Sequence, residues 1–234
     1  MKQIQKILLA TVMILMSLAI YQQKANLTQL ETTVKWKQSV PDLIVLDSCG
    51  IVTNGNGYGS YVAIDSNLVL TAKHCTDSND LQIIDSGGLY HKVTSIWRSD
   101  KYDIAILTVD ANLPFLPLGK MPVVLDEIYI VGSPLTNSYG HLLECINNIT
   151  KGIVSKINVE WNRWSDGIIV NAAAYPGNSG GPLLDKRGKI IGIMVGCHNR
   201  MSDGGDNFWL AEPVSHIIES LEEYNNAQRI RGKT

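Results

Sequence analysis

The sequence lacks a charged face. Its 20 Lys and Arg are scattered among 22 Asp and Glu, giving a formal net charge of −2. A polyanion needs a basic stripe, so nucleic acid is excluded as a partner, and there is no acidic tail to act as a solvating segment. Metal-ligand spacing is missing too. His74 adjoins Cys75 and His198 adjoins Cys197, but no C-x-x-C or H-x-x-x-H pattern occurs among four Cys and five His, so neither a metal nor another cofactor is expected. The chain also has no apolar run suited to a full membrane span. Its candidate, Ile7 to Ile20, would cover about 21 Å as a helix, against a hydrocarbon core of roughly 30 Å.

That run has another use. Lys2 and Lys6 precede it and Ser17-Leu18-Ala19 offers small residues at cleavage spacing, so residues 1–20 read as a signal peptide, with a short membrane anchor as the alternative. Either one places the rest of the chain outside the cytoplasm, secreted or anchored. The even cysteine number suits such an oxidising compartment. Three pairings are open; Cys49–Cys75 with Cys145–Cys197 keeps each bridge within one half of the chain and is the favoured set. The first bridge would contribute about 3 kcal/mol by closing its loop.

Short runs rich in Val, Ile and Leu recur from residue 43 onward, separated by clusters of Gly, Asn, Asp and Pro, among a total of 20 Gly. This is an all-β pattern. Strands are expected at Leu43–Val52, Tyr58–Ile64, Leu68–Ala72, Leu81–Ile84, His91–Trp97 and Ile104–Val109. Six more follow at Glu127–Gly132, Ile149–Ile157, Ile168–Ala172, Pro182–Leu184, Ile190–Gly196 and Phe208–Glu212. The organisation is then a linker at 21–40, a first half at 41–110, a Pro-bearing connection at 111–122 and a second half at 123–214. Ile217, Ile218, Leu221 and Tyr224 fall at helical spacing behind Ser215 as a cap, which predicts a helix over 215–226 and a frayed tail over 227–234.

The chemistry gathers in three blocks. "PGNSGGPLLD", residues 176–185, surrounds one hydroxyl, Ser179, with residues that let backbone N–H groups come close to a ligand. A serine hydroxyl is almost wholly protonated at neutral pH, so acyl transfer needs a base beside it and a group that orients the base. "LVLTAKHC" places His74 just past a strand, and "KYDIAIL" places Asp103 at the mouth of another. His91, His141, His198 and His216 lack such a context and read as surface or packing residues.

In that order, Thr71-Ala72-Lys73-His74-Cys75, Asp103-Ile104-Ala105-Ile106-Leu107 and Gly177-Asn178-Ser179-Gly180-Gly181-Pro182 resemble the motifs of the trypsin and chymotrypsin superfamily of serine proteases. The resemblance covers about residues 43–218. It is nearest to the HtrA or Deg type of protease domain, through "VNAAAYPGNSGGPLLDKRGKIIGI", "LPLGK", "EIYIVGSPL" and "ITKGIVSKI". It implies two perpendicular six-stranded antiparallel β-barrels and a triad: Ser179 the nucleophile, His74 the general base, Asp103 the group that fixes the imidazole. The N–H groups of Gly177 and Ser179 would form the oxyanion hole. Neutral Asn178 stands where trypsin-type zymogens carry an Asp, which implies activity without a newly cut N-terminus. Ala173 stands where trypsin has its basic-selecting carboxylate, which implies an uncharged aliphatic or small side chain before the scissile bond. The backbone of Val195, Gly196 and Cys197 would pair with an extended substrate. The chain ends soon after the second half, so the PDZ domains typical of that group, and their cage assembly, are not implied.

The function so implied is an extracytoplasmic serine endopeptidase acting on polypeptide through an acyl-enzyme. Two alternatives stand beside it: a protease-like binding or chaperone protein with a disrupted triad, and an esterase using the same triad. A catalytic His74 would make activity fall as pH drops through a value near 7.

Overall fold

The computed structural model describes residues 22–23, 44–55, 57–134, 146–161, 164–198 and 208–231. The chain divides into two units, 1–42 and 43–234, and the second holds the whole of the architecture below. The expected signal segment, the linker, His141 and Cys145 lie outside the described residues.

A short helix α1 (Ile44–Asp47) leads into twelve strands: β1 (Cys49–Thr53), β2 (Tyr58–Asp65), β3 (Leu68–Thr71), β4 (Gln82–Ile84), β5 (Tyr90–Arg98), β6 (Ala105–Val109), β7 (Glu127–Gly132), β8 (Asn148–Trp161), β9 (Trp164–Asn171), β10 (Pro182–Asp185), β11 (Ile190–His198) and β12 (Phe208–Pro213). They close into two antiparallel barrels, ordered β1-β2-β3-β6-β5-β4 and β10-β11-β12-β9-β8-β7. The all-β, two-barrel expectation therefore holds.

The period-2 alternation of strands explains why so many are apolar on both faces. In the first barrel Tyr61, Ala63, Val69, Ile83 and Leu107 point inward, and in the second Ile128, Ile130, Val170, Leu183 and Ile191 do. Their neighbours Val62, Leu70, Ile106, Val131, Ile190, Ile193 and Val195 point the other way and form a third core between the barrels. Any residue raised at a strand end beside this seam can meet one from the other barrel.

Three expectations are corrected. Residues 44–47 form a helical turn rather than the start of the first strand, which begins at Cys49. The C-terminal helix α2 runs Val214–Arg231, past the predicted stop at 226, because the first helix breaker after Pro213 is Gly232. Ser215 lies inside that helix, not at its cap, and donates its hydroxyl to the Met121 sulfur at 3.5 Å. The third correction is that Cys49 and Cys75 are free thiols. Cys49 pairs with Val62 on β2, whereas the Cys75 sulfur lies against Gly59, where an added Cβ would sit 2.4 Å from it. Three residues of strand, about 10 Å, separate those two places.

Candidate active site

His74 and Asp103 meet because of sheet register. β3 pairs with β6 so that Thr71 faces Ala105. Three residues beyond Thr71 and two residues before Ala105 lie at the same end of the sheet, and those residues are His74 and Asp103. The chain leaves β3 through extended Ala72 (φ −71°, ψ 139°) and tightens into a 3₁₀ turn over Lys73–Thr76, which turns the imidazole back toward the acid. One Asp103 oxygen accepts the His74 backbone N–H at 2.9 Å, and the other accepts the imidazole Nδ1–H at 2.6 Å. The carboxylate is 9% exposed and the imidazole 46%, so the ring is held from behind and open in front. The Asp103 bond raises the imidazole pKa well above its ordinary value, and the Cys75 thiol contact adds to this, while burial opposes both.

The Ser179 loop is built from two successive turns. Asn178 N–H donates to the Tyr175 carbonyl at 3.0 Å across Pro176-Gly177, and Gly181 N–H to the Asn178 carbonyl at 2.9 Å across Ser179-Gly180. Each turn puts a glycine with positive φ third, Gly177 at 101° and Gly180 at 85°, as type II geometry requires. A side chain on Gly180 would also fall 2.2 Å from the Ser60 carbonyl oxygen. The N–H groups of Gly177 and Ser179 are bonded to no described backbone carbonyl.

The loop docks on the first barrel. Ser60 of β2 donates its backbone N–H to the Ser179 carbonyl at 2.7 Å and its hydroxyl to the Gly177 carbonyl at 2.8 Å, and that hydroxyl accepts Ser133 N–H at 2.9 Å. The Cys75 sulfur lies 3.7 Å from the Ser179 carbonyl oxygen. The structure thus brings the Ser179 backbone against the residue that follows His74. Among the described residues no hydrogen bond joins the Ser179 hydroxyl to the imidazole.

The expected substrate contacts divide. Ala173 is exposed and lines a cleft of about 520 Å³ with Ala172, Tyr175, Phe208 and Trp209. Val195 turns its side chain into the seam core and sits at a bulge, since Met194 faces Ala211 and Gly196 faces Leu210. β10 pairs with β11 only as far as Ile193, so on that side the backbone from Val195 to Cys197 has no described strand beside it, while β12 pairs along the other side; a Cβ added at Gly196 would meet nothing within 4 Å. The side chain of Cys197 lies outside the described residues. Buried Asn178 packs against Gly132, and its Oδ1 has no partner among the described residues.

Sequence reasoning missed Ser60 and Glu212. Glu212 Oε1 accepts the Asp103 N–H at 3.1 Å, and Oε2 accepts His216 Nδ1–H at 2.6 Å. "GSY" and "AEP" carry no motif, and only the pairing of distant strands gives them a place. His216 is buried, as the packing reading of it allowed.

Comparison with known proteins agrees with this architecture. The trypsin-like peptidase domain matches residues 50–193, more than half of the chain. Among curated proteins, the chain is 29% identical over 185 residues to Protease Do-like 2, chloroplastic, of Arabidopsis thaliana, covering 74% of this chain and 29% of that one. It is 28% identical over 226 residues to a probable periplasmic serine endoprotease DegP-like of Buchnera aphidicola, covering 88% and 46%. The chain thus spans less than half the length of these relatives. Among solved structures, the HtrA-type protease AlgW with tripeptide matches with a TM-score of 0.65 at 24% identity, covering 80% of this chain and 61% of that one, a likeness of fold.

Proposed function

This chain belongs to the trypsin-like peptidase domain family, and from that premise we propose that it is a serine endopeptidase. Ser179 Oγ attacks the carbonyl carbon of a peptide bond while His74 Nε2 takes its proton. The imidazolium then protonates the leaving amine, and water repeats the sequence on the acyl-enzyme. Asp103 fixes the tautomer by holding Nδ1–H. The N–H groups of Gly177 and Ser179 receive the oxyanion, each worth roughly 3 kcal/mol in the transition state.

The observation that carries this reading is the half-open imidazole, bonded to Asp103 at 2.6 Å on Nδ1, with the adjoining Cys75 against a loop whose Gly177 and Ser179 N–H groups are bonded to no described backbone carbonyl. Substrate would bring the Ser179 hydroxyl onto His74 Nε2, since catalytic hydrogen bonds tighten in the Michaelis complex. An extended polypeptide would lie along the open edge at Val195–Cys197, and Ala173, with no carboxylate, favours an uncharged aliphatic or small side chain in the cleft. The periplasmic DegP-like relative and the apolar segment at 7–20 support an extracytoplasmic setting.

The test is labelling by a fluorophosphonate followed by a casein digest. Labelling that disappears in Ser179→Ala together with casein cleavage is the expected result. Labelling with cleavage of simple esters alone would make the protein an esterase, and no labelling would leave it a binding protein.

A further inference from the structure

A buried carboxylate is expensive unless both oxygens are used. Glu212, its side chain 2% exposed at the end of β12, uses both: one on the backbone N–H of Asp103, the other on His216. Pro213 ends the strand and α2 starts at once, so that His216, four residues on and 6% exposed, comes back beneath Glu212. The His216 ring stacks on Tyr102, with centroids 3.9 Å apart and planes 11° from parallel. Tyr102 donates its hydroxyl to Glu219, and Lys101 pairs with Glu219 and with Glu223. Lys101, Tyr102 and Asp103, three consecutive residues of the first barrel, are therefore each gripped by the segment 212–223. An apolar residue at 212 would satisfy the strand without a buried carboxylate but would leave the Asp103 N–H with no acceptor.

We propose that Glu212 is a positioning residue: braced by His216, its carboxylate fixes the backbone of Asp103 and through it the imidazole of His74. The proposal takes Asp103 and His74 as the working pair of the serine protease reading. Glu212 meets Asp103, Tyr102 and His216, with Glu219 and Lys101 beyond them, and the His74 ring meets Asp103 and Cys75. If the Asp103 carboxylate loses its aim, His74 loses the bond that raises its pKa.

The experiment compares wild type with Glu212→Met, similar in length but without an acceptor, and Glu212→Gln, which keeps an oxygen for the Asp103 N–H. Two quantities are read: the rate of fluorophosphonate labelling against pH, and the titration of the His74 ring by NMR. Glu212→Met should slow labelling at least about tenfold, within the roughly hundredfold that a misplacement of about 1 Å can cost. It should also bring both the acid limb and the ring titration down toward about 6.5. Glu212→Gln should recover most of the rate and both titrations. Unchanged titrations in Glu212→Met overturn the proposal even if labelling is lost, because a merely less stable fold would leave the limb in place. Should that variant not fold, His216→Gln replaces it, with a lowered ring titration expected and an unmoved one fatal. A wild type that is never labelled sinks the protease reading instead, and the ring titration still decides the role of Glu212.

Discussion

In the proposed reaction the free base of His74 is the active form, and the Asp103 bond raises the ring's pKa. The acid limb of kcat/KM should therefore lie above the ordinary imidazole value of about 6.5. Asp103→Asn removes the anion, so the limb should move down while kcat falls by about 10⁴. Stability runs the other way. A group with a raised folded pKa contributes fully below its unfolded value and loses that contribution as pH rises through the folded one, so this pair favours the fold on the acid side of the active range. With the ring 46% exposed, solvent screens that effect, and activity is the better readout. If Ser179 and His74 act as a unit, replacing either by Ala should cost about 10⁶ in kcat, and replacing both little more. Single-turnover acylation kinetics would expose multiplicative losses, which would argue against a shared step.

The two turns that carry Ser179 fail differently from the triad. Gly180→Ala must hold a side chain at φ 85° and push Cβ against the Ser60 carbonyl and the Ala72 nitrogen, so it should destabilise by roughly 2–4 kcal/mol as well as abolish labelling. Urea unfolding monitored by tryptophan fluorescence measures the first effect. The residues of this loop were legible from sequence because Pro176-Gly177 and Ser179-Gly180 encode their turns locally. The His and Asp blocks were legible for a similar reason, since each lies within a few residues of a strand end. Ser60 and Glu212 were not, because what they do depends on β2 meeting a loop more than a hundred residues away and on β12 meeting the Asp103 segment. A buried Glu before a Pro looks like an ordinary strand end until its partners are known. The short strands were found to within a few residues, whereas residues 44–47 misled because an apolar run that short fits a helical turn and a strand equally well.

The barrels share a core, which ties the site to the whole fold. Leu70 and Ile193 are fully buried in the seam. Leu70→Ala should cost about 2–5 kcal/mol, and in urea the loss of labelling should coincide with a single unfolding transition, since neither barrel keeps its packing without the other. The sequence indicated two halves, but strands apolar on both faces do not say which face meets the partner; closure and register decide that. The same seam leaves the first barrel with no covalent cross-link, because Gly59 occupies the space beside Cys75 and Cys49 is turned away into the core. Thiol reductants such as dithiothreitol should therefore leave the His74–Asp103 arrangement undisturbed.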